Sequence, residues 1–211
     1  MINFTSYKIK QATTSEIKNF YNPIAINKFC FECNKYNKVW SCPPLPFKDI
    51  KYLEKYKYCY LISGKVYINK ISQETLAKII EETLNKYSNI STNQDEFSDI
   101  FNALYYKFRE FNDLKILSLE NIFPNTLSLS SGRCLLCETC TRAFNKPCIK
   151  PKKLRYSLES LGFDVSGIIE NILGDKIQWS NDTKPEYITC VSALLSNYEI
   201  NPDKILYAIN S

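Results

Sequence analysis

Four cysteines crowded into fifteen positions constrain this chain more than any other feature. They lie between Gly132 and Pro151 with the spacing C-x2-C-x2-C-x7-C, and the last of them follows Pro147. One buried cysteine packs well as a small apolar side chain, but four at such short intervals compete for the same few core positions. We therefore interpret residues 132–151 as a metal-binding loop, the main cysteine loop. Its predicted ligands are Cys134, Cys137, Cys140 and Cys148.

The composition narrows the chemistry of these thiols. The 211 residues include nine cysteines, an odd number, and no histidine. Histidine-based zinc sites and Ser-His or Cys-His catalytic pairs are thereby excluded. The N-terminus lacks the apolar core of a signal peptide, and no run of about 18 apolar residues is present, so we expect a cytoplasmic protein without a membrane span. Thiols stay reduced in that compartment, which favours metal ligation over disulfides.

The spacing in the main cysteine loop favours iron–sulfur over zinc. Structural zinc sites usually combine two separated C-x2–4-C pairs. An unbroken C-x2-C-x2-C run instead suits a cubane, because one loop can place a thiolate on each of three irons. Ferredoxin-type sequences share that run, although their fourth cysteine follows after three residues and not after seven. We expect a [4Fe–4S] cluster, with zinc as the alternative.

Seven basic residues surround the four thiols. A four-thiolate cubane carries negative charge, so adjacent cations would stabilise it, but a solvated basic surface explains the same residues equally well. A helix predicted to begin at Pro151 would also point its free amides towards the cluster. The bases are Arg133, Arg142, Lys146, Lys150, Lys152, Lys153 and Arg155.

A second block, the N-terminal cysteine loop of residues 30–44, carries three further metal ligands with the spacing C-x2-C-x8-C-P-P. Three ligands leave three alternatives. Glu32, Cys59 or Cys190 supplies a fourth ligand, an open coordination position makes the site catalytic, or the thiols pack beside the main site. Because Cys59 and Cys190 lie in apolar, strand-like runs, we expect both to be core residues. The three ligands are Cys30, Cys33 and Cys42.

Hydrophobic periodicity predicts a mixed α/β or α+β fold, a small sheet flanked by helix pairs. The extended segments are expected at residues 7–10, 24–26, 58–68 (a strand or a strand pair bent at Gly64), 127–130 and 187–195. The helices are expected after Ser72, from about Asn93 to Phe123, over 151–161, over 165–173 and, as a short turn, after Pro202. No segment reads as a linker, so we predict one metal-binding domain, 1–211, that carries both cysteine loops.

Three motifs, taken in order, resemble a known family. They are Cys30-x2-Cys33 with Trp40-Ser41-Cys42-Pro43-Pro44, then the main cysteine loop, then Ser157-Leu158-Glu159-Ser160-Leu161-Gly162-Phe163-Asp164-Val165. The chain resembles, over roughly Cys30 to Leu195, a bacterial and archaeal family of predicted metal-binding proteins catalogued as a domain of unknown function. All seven cysteines of the two loops match its pattern, whereas Arg133 and Tyr156 depart from it at local turns. The resemblance implies metal or iron–sulfur binding and supplies no substrate.

Three functions follow as alternatives. The first is an iron–sulfur protein with a redox or electron-transfer role and a redox partner protein. The second is a zinc-stabilised structural or interaction module. The third is an enzyme with an open metal site in the N-terminal cysteine loop, where Glu32, Glu138, Tyr36 or a lysine would do the acid–base work. The net charge of +5 is spread along the chain, so we do not expect nucleic-acid binding.

Overall fold

The computed structural model describes residues 5–86, 96–178 and 185–211. This part of the chain forms four strands and seven α-helices. The strands are β1 (Thr5–Thr13), β2 (Tyr58–Tyr67), β3 (Leu127–Leu129) and β4 (Tyr187–Ser196). The helices are α1 (Thr14–Lys18), α2 (Pro23–Glu32), α3 (Ile50–Leu53), α4 (Gln73–Lys86), α5 (Glu96–Ile122), α6 (Val165–Ile168, continued by a π-helical turn over Ile169–Leu173) and α7 (Pro202–Asn210).

The four strands make one antiparallel sheet in the order β1-β2-β4-β3. At its centre, β2 and β4 pair from Tyr58 opposite Ser196 to Tyr67 opposite Tyr187. Both strands are rich in aromatic and β-branched residues, which suit a pleated, buried surface. β2 continues through Gly64 as one strand, without the alternative of a bent pair. The predicted mixed α/β class is confirmed, and the antiparallel pairing is that of an α+β arrangement.

Side chains of the central strands alternate between two hydrophobic layers, as the period of a strand requires. Cys59 and Leu61 enter a core on one face, together with residues of α1, α3 and α6. Tyr60 and Ile62 enter a core on the opposite face, where α5 and α7 pack. The two faces of the sheet are therefore both covered by helices.

The long helix α5 crosses the sheet closely at one glycine. A Cβ atom on Gly64 would lie 2.8 Å from the Tyr7 ring and 3.2 Å from both Phe108 and the Asn112 side-chain oxygen. A larger residue there would push α5 away from the sheet. This position matters because α5 also holds the main cysteine loop.

The helices predicted from apolar stripes are confirmed at α4 and α5. Ser72 caps α4, since its hydroxyl accepts from the Thr75 amide at 3.3 Å. α5 is continuous to Ile122 and ends before Pro124, although its predicted start near Asn93 lies outside the described residues. Within the described ranges, no helix combines the length and the apolar character that crossing a membrane requires.

Two predicted elements are wrong. Residues 24–26 belong to α2 and not to a strand, because Pro23 occupies the first helical turn and the Asn22 side chain caps the Ala25 amide at 3.2 Å. The helix predicted over 151–161 is limited to a 3-10 turn at Pro151–Lys153. After it the chain is extended, and the Tyr156 carbonyl is used to close the base of the main cysteine loop. The hydrogen bond from the Ser130 amide to the Tyr156 carbonyl thus replaces the bond that this carbonyl would accept within a helix.

Candidate metal centre

The base of the main cysteine loop is closed where the chain leaves β3 and where it returns. The Ser130 amide donates to the Tyr156 carbonyl at 2.9 Å. Glu120 of α5 accepts from the Ser128 amide and hydroxyl at 2.8 and 2.6 Å and from the Arg155 guanidinium at 2.7 and 2.5 Å. Burial alone would raise the pKa of Glu120. The hydrogen bonds from Arg155 and Ser128 together have the larger effect, so the pKa of Glu120 is lowered overall. Entry and exit of the loop are therefore fixed to one carboxylate.

The start of the loop is fixed a second time by α5. The Asp113 carboxylate accepts from the Ser131 amide at 2.8 Å and from its hydroxyl at 2.7 Å. The buried Arg109 donates to the Arg133 carbonyl at 2.6 Å. Between them, Gly132 has a φ of +136°, and a Cβ atom there would meet the Arg109 guanidinium at 2.8 Å. Glycine is required at this position both by the backbone angle and by the close approach of Arg109.

The N-terminal cysteine loop lies directly against the main cysteine loop. The Cys134 amide donates to the Ser41 hydroxyl at 2.7 Å. The Trp40 amide donates to the Cys140 sulfur at 3.5 Å, and the Trp40 indole donates to the Lys146 carbonyl at 3.1 Å. Backbone N–H groups directed at ligand sulfurs tune metal–thiolate sites. The two loops, about a hundred positions apart in sequence, form one structure.

Arg142, in the main cysteine loop, connects it to the N-terminal cysteine loop by hydrogen bonds. Its side chain is 9% exposed and its guanidinium donates four hydrogen bonds, all to the N-terminal cysteine loop or its flanks. The acceptors are the carbonyls of Val39 (3.0 Å), Cys42 (2.7 Å) and Pro44 (2.7 Å) and the side-chain oxygen of Asn37 (2.9 Å). This planar, five-donor group satisfies a set of converging acceptors that a lysine could not reach together.

The four thiols of the main cysteine loop line a single cavity of about 20 Å³. Its walls also contain Trp40 and the apolar side chains of Val39, Leu136 and Leu154. Burial raises the pKa of Cys134; the Leu136 amide lowers it, and the other three thiols raise it further. Mutual repulsion of this kind is relieved when a cation is bound between the sulfurs. The four predicted ligands are thus brought together: Cys134, Cys137, Cys140 and Cys148.

The four thiols of the main cysteine loop are suitable donors for a tetrathiolate metal centre, although their side chains do not occupy ligand positions around a common point. In the described ranges, no group of three or more Cys, Asp or Glu side chains is arranged to hold a metal ion directly. All nine cysteines are free thiols, so none is consumed in a disulfide. Soft thiolates select zinc or iron–sulfur clusters. Coordination requires the thiols around the cavity to turn inwards and lose their protons.

The three thiols of the N-terminal cysteine loop also influence one another. Cys30 lies in the last turn of α2, and Cys33 is the residue at which that helix ends. Burial raises the pKa of Cys42 to about 11; Cys33 and Cys30 add to this, while the Ser41 hydroxyl and Arg133 oppose it. Burial likewise raises the pKa of Cys30, followed by the effects of Glu159 and Cys33. Cys30, Cys33 and Cys42 therefore form a second, separate group of thiols.

Glu159 is a buried carboxylate whose charge acts on one thiol of this second group, that of Cys30. Its Oε2 atom is buried and has no hydrogen-bond partner within the described part of the chain. Burial raises the pKa of Glu159, against the lowering effect of its own backbone and the Ser157 hydroxyl. A buried carboxylate oxygen without a partner lowers the free energy of unfolding by on the order of several kcal/mol, unless it is protonated or binds a cation. Glu159 was not among the fourth ligands proposed from the sequence.

Cys59 and Cys190 are core residues, as expected, although Cys190 interacts with Ser131, directly before the main cysteine loop. They are 0% and 1% exposed and project from β2 and β4 into opposite hydrophobic layers. Burial raises the pKa of Cys59 to about 12. A thiol held inside a sheet in this way is inert towards metals.

Some of the seven basic residues around the main thiols make structural hydrogen bonds, and others are exposed to solvent. Arg142 and Arg155 are structural, since Arg142 holds the N-terminal cysteine loop and Arg155 binds Glu120. Lys150 donates to the Leu136 carbonyl at 2.7 Å, inside the loop. Lys152 and Lys153 are exposed, as a solvated face would be. The predicted helix N-terminus at Pro151 does not support a cluster, because only a 3-10 turn forms there.

Comparison with family models decides which group of proteins this architecture represents. Residues 23–196 match the family described as predicted metal-binding protein (DUF2284). The chain belongs to the DUF2284 family. The match includes both cysteine loops, Arg142, which connects them, and the motif that contains Glu159. No curated protein and no solved structure matches the chain.

In this DUF2284 protein, two residues of the site escaped the sequence-based predictions. Arg142 was identified only as one of seven flanking bases, and nothing in its local sequence distinguishes it from Lys146. Glu159 stands between Leu158 and Ser160, which are both buried. Glutamate is rarely buried in proteins, so a glutamate between two buried residues is the one signal that distinguishes Glu159.

Proposed function

We propose that the main cysteine loop holds a tetrathiolate metal centre, and that this centre is a [4Fe–4S] cluster with a redox role. The observation that carries the proposal is that Cys134, Cys137, Cys140 and Cys148 line one cavity. Membership in a family of predicted metal-binding proteins supports metal binding without naming the metal. The unbroken C-x2-C-x2-C run supports iron–sulfur chemistry. A bound cluster would supply one-electron transfer.

The chain's own groups would then tune and shield that centre. The Trp40 amide directed at the Cys140 sulfur would stabilise the thiolate form and raise a cluster's reduction potential. The apolar walls formed by Val39, Leu136 and Leu154 would exclude water from the sulfurs. Both features suit a centre that exchanges electrons and not one that binds substrate directly.

A redox role requires a partner protein, and the surface around the two loops supports one. Several of the large apolar side chains that are most exposed in the described residues lie on or next to the cysteine loops. A partner with a complementary apolar face would cover them. Free thiols at all nine cysteines fit action in the reducing cytoplasm. The exposed side chains are Phe29, Phe31, Phe144 and Ile149.

Zinc is the second candidate, and the size of the cavity favours it. A space of about 20 Å³ accommodates one ion or one water molecule, whereas a cubane requires the loop to open outwards. A Cys₄ zinc site would act as a structural clamp between the two loops. The protein would then be an interaction module without redox chemistry.

Anaerobic purification with metal and acid-labile sulfide assays distinguishes the two metals. We expect a brown protein with visible charge-transfer absorption and about four irons and four sulfides per filled cluster. A colourless protein with one zinc per chain and no sulfide would refute the iron–sulfur proposal and establish the zinc alternative. Purification without any bound metal, and no uptake of iron with sulfide or of zinc on reconstitution, would refute both.

We infer a second site at the N-terminal cysteine loop, formed by Cys30, Cys33 and Cys42 with Glu159 as its oxygen ligand. The Oε2 atom of Glu159 is buried and has no partner among the described residues, and the charge of Glu159 acts on the Cys30 thiol; both observations support this set. Three thiolates and one carboxylate are a ligand combination that zinc and iron accept. A carboxylate exchanges more readily than a thiolate, so this site is the one suited to an open, catalytic position. This is the enzyme alternative.

The second site predicts a metal content that changes in steps. Glu159→Gln keeps the size of the side chain but removes its charge, so the metal of this site should be retained at least tenfold more weakly in a chelator titration. Cys42→Ser should remove it altogether, while the metal of the main cysteine loop stays in place. Glu138→Gln, an exposed glutamate in the main loop, serves as the control. Equal metal content in the wild-type, Glu159→Gln and Cys42→Ser proteins would exclude a second site.

A further inference from the structure

A cleft much larger than the four-thiol cavity opens on the other side of Cys134. Its volume is about 410 Å³, within the range of small-molecule sites. Cys134, Leu136 and Lys150 line both spaces. The walls of the cleft come from α5, β3, the main cysteine loop and the segment that follows it, with Lys86 at the end of α4. A molecule bound in this cleft would therefore lie next to a predicted metal ligand.

The floor of the cleft is apolar. It consists of leucines from three different elements, and one of them, Leu114, is 60% exposed. An exposed leucine in a cleft favours binding of an apolar ligand, because the contact removes apolar surface from water. The floor residues are Leu114, Leu117, Leu129, Leu135 and Leu136.

One wall of the cleft is cationic. Lys150 uses one donor on the Leu136 carbonyl, which leaves two N–H donors of its ammonium group for a ligand. The Lys153 side chain makes no hydrogen bond or ion pair within the described residues, and it is exposed. Arg155 adds a third positive charge, although its donors are engaged by Glu120 and backbone carbonyls.

The two carboxylates in the lining do not cancel this charge. Glu110 is paired with Lys86 at 2.5 Å, so that side of the cleft is close to neutral. Asp113 accepts from the Ser131 amide and hydroxyl, and its charge is balanced by the buried Arg109 guanidinium, 3.9 Å from its Oδ2 atom. An incoming anion consequently meets positive charge on the Lys150–Arg155 side and neutralised charge on the other.

We propose that this cleft binds a small amphipathic anion, with a carboxylate or phosphate head at Lys150 and Lys153 and an apolar chain or ring against the leucine floor. The proposal goes beyond metal binding and holds for either metal. It assigns the protein a ligand next to Cys134, which a carrier without a substrate would not need.

Titration calorimetry on the metal-loaded 211-residue chain tests the proposal with three six-carbon probes. Hexanoate and hexyl phosphate share the anionic head and the apolar tail, whereas hexylammonium carries the opposite charge. We expect saturable binding of at least one anion with a Kd of about 1 mM or lower, and binding of hexylammonium at least tenfold weaker. Whichever anion binds more tightly identifies the head group. Binding of neither anion, or equal binding of hexylammonium, would overturn the proposal.

A matched pair of charge reversals locates the bound anion. Lys153→Glu changes a residue that lines the cleft, and Lys152→Glu makes the same change in its exposed neighbour, which does not. Lys153→Glu should weaken anion binding about tenfold more than Lys152→Glu, with metal content unchanged in both. Equal effects of the two variants would contradict the assignment to this cleft. Since metal content is measured in the same samples, failure of the metal proposal is recognised separately.

Discussion

Cys137→Ser is expected to abolish stoichiometric metal binding at the main cysteine loop and to reduce stability with it. A serine hydroxyl is a hard, weakly acidic donor, and it does not replace a soft thiolate in a site for zinc or iron. Binding of a structural metal contributes on the order of 10 kcal/mol to folding, so losing one of four ligands should lower the free energy of unfolding by about 4 kcal/mol or more. Elemental analysis and urea denaturation of the same preparation measure both effects.

Cys59→Ser is the control for this experiment. Cys59 is fully buried in β2, away from both loops, so its replacement also costs stability but should leave the metal content unchanged. The comparison separates loss of metal from loss of fold. Full metal occupancy in the Cys137→Ser protein would contradict the tetrathiolate centre.

Arg142→Ala is expected to separate the two cysteine loops. The substitution leaves three carbonyls and one side-chain amide oxygen without the donor that now satisfies them. Each buried acceptor left unpaired costs about 1–3 kcal/mol, and partial access of water reduces the sum, so we expect a loss of about 3–5 kcal/mol. Urea denaturation measures this loss, and the rate at which a thiol reagent modifies Cys42 should rise because that thiol becomes exposed.

Two further variants make the result specific to the guanidinium. Arg142→Lys keeps the charge but cannot span four acceptors, so most of the loss should remain. Lys146→Ala removes an exposed cation four residues away in the same loop and should change stability by less than about 0.5 kcal/mol. If Arg142→Lys were as stable as the wild type, charge and not the hydrogen bonds would hold the loops together.

Local signals were sufficient for much of the fold. The alternation in β2 and the apolar stripe in α5 predict their elements because neighbouring residues in each element share one environment. Local signals failed where a residue distant in sequence forms the hydrogen bond that a helix would otherwise use. Leu154, Leu158 and Leu161 have the apolar spacing of a helix, but the Tyr156 carbonyl accepts a hydrogen bond from the Ser130 amide, and the chain there is extended.

For the site itself, the sequence alone determined that histidine is absent and which cysteines fall into each of the two loops, and it predicted that thiols bind the metal. These conclusions depend on residue type and short spacing, which are properties of the chain. Tertiary structure decided how the groups relate: the Ser41 hydroxyl accepts from the Cys134 amide, Arg142 holds the loop that carries Cys42, and the charge of Glu159 acts on Cys30. Such contacts join residues about a hundred positions apart, and no periodicity encodes them because they exist only once the sheet and α5 have brought the loops together.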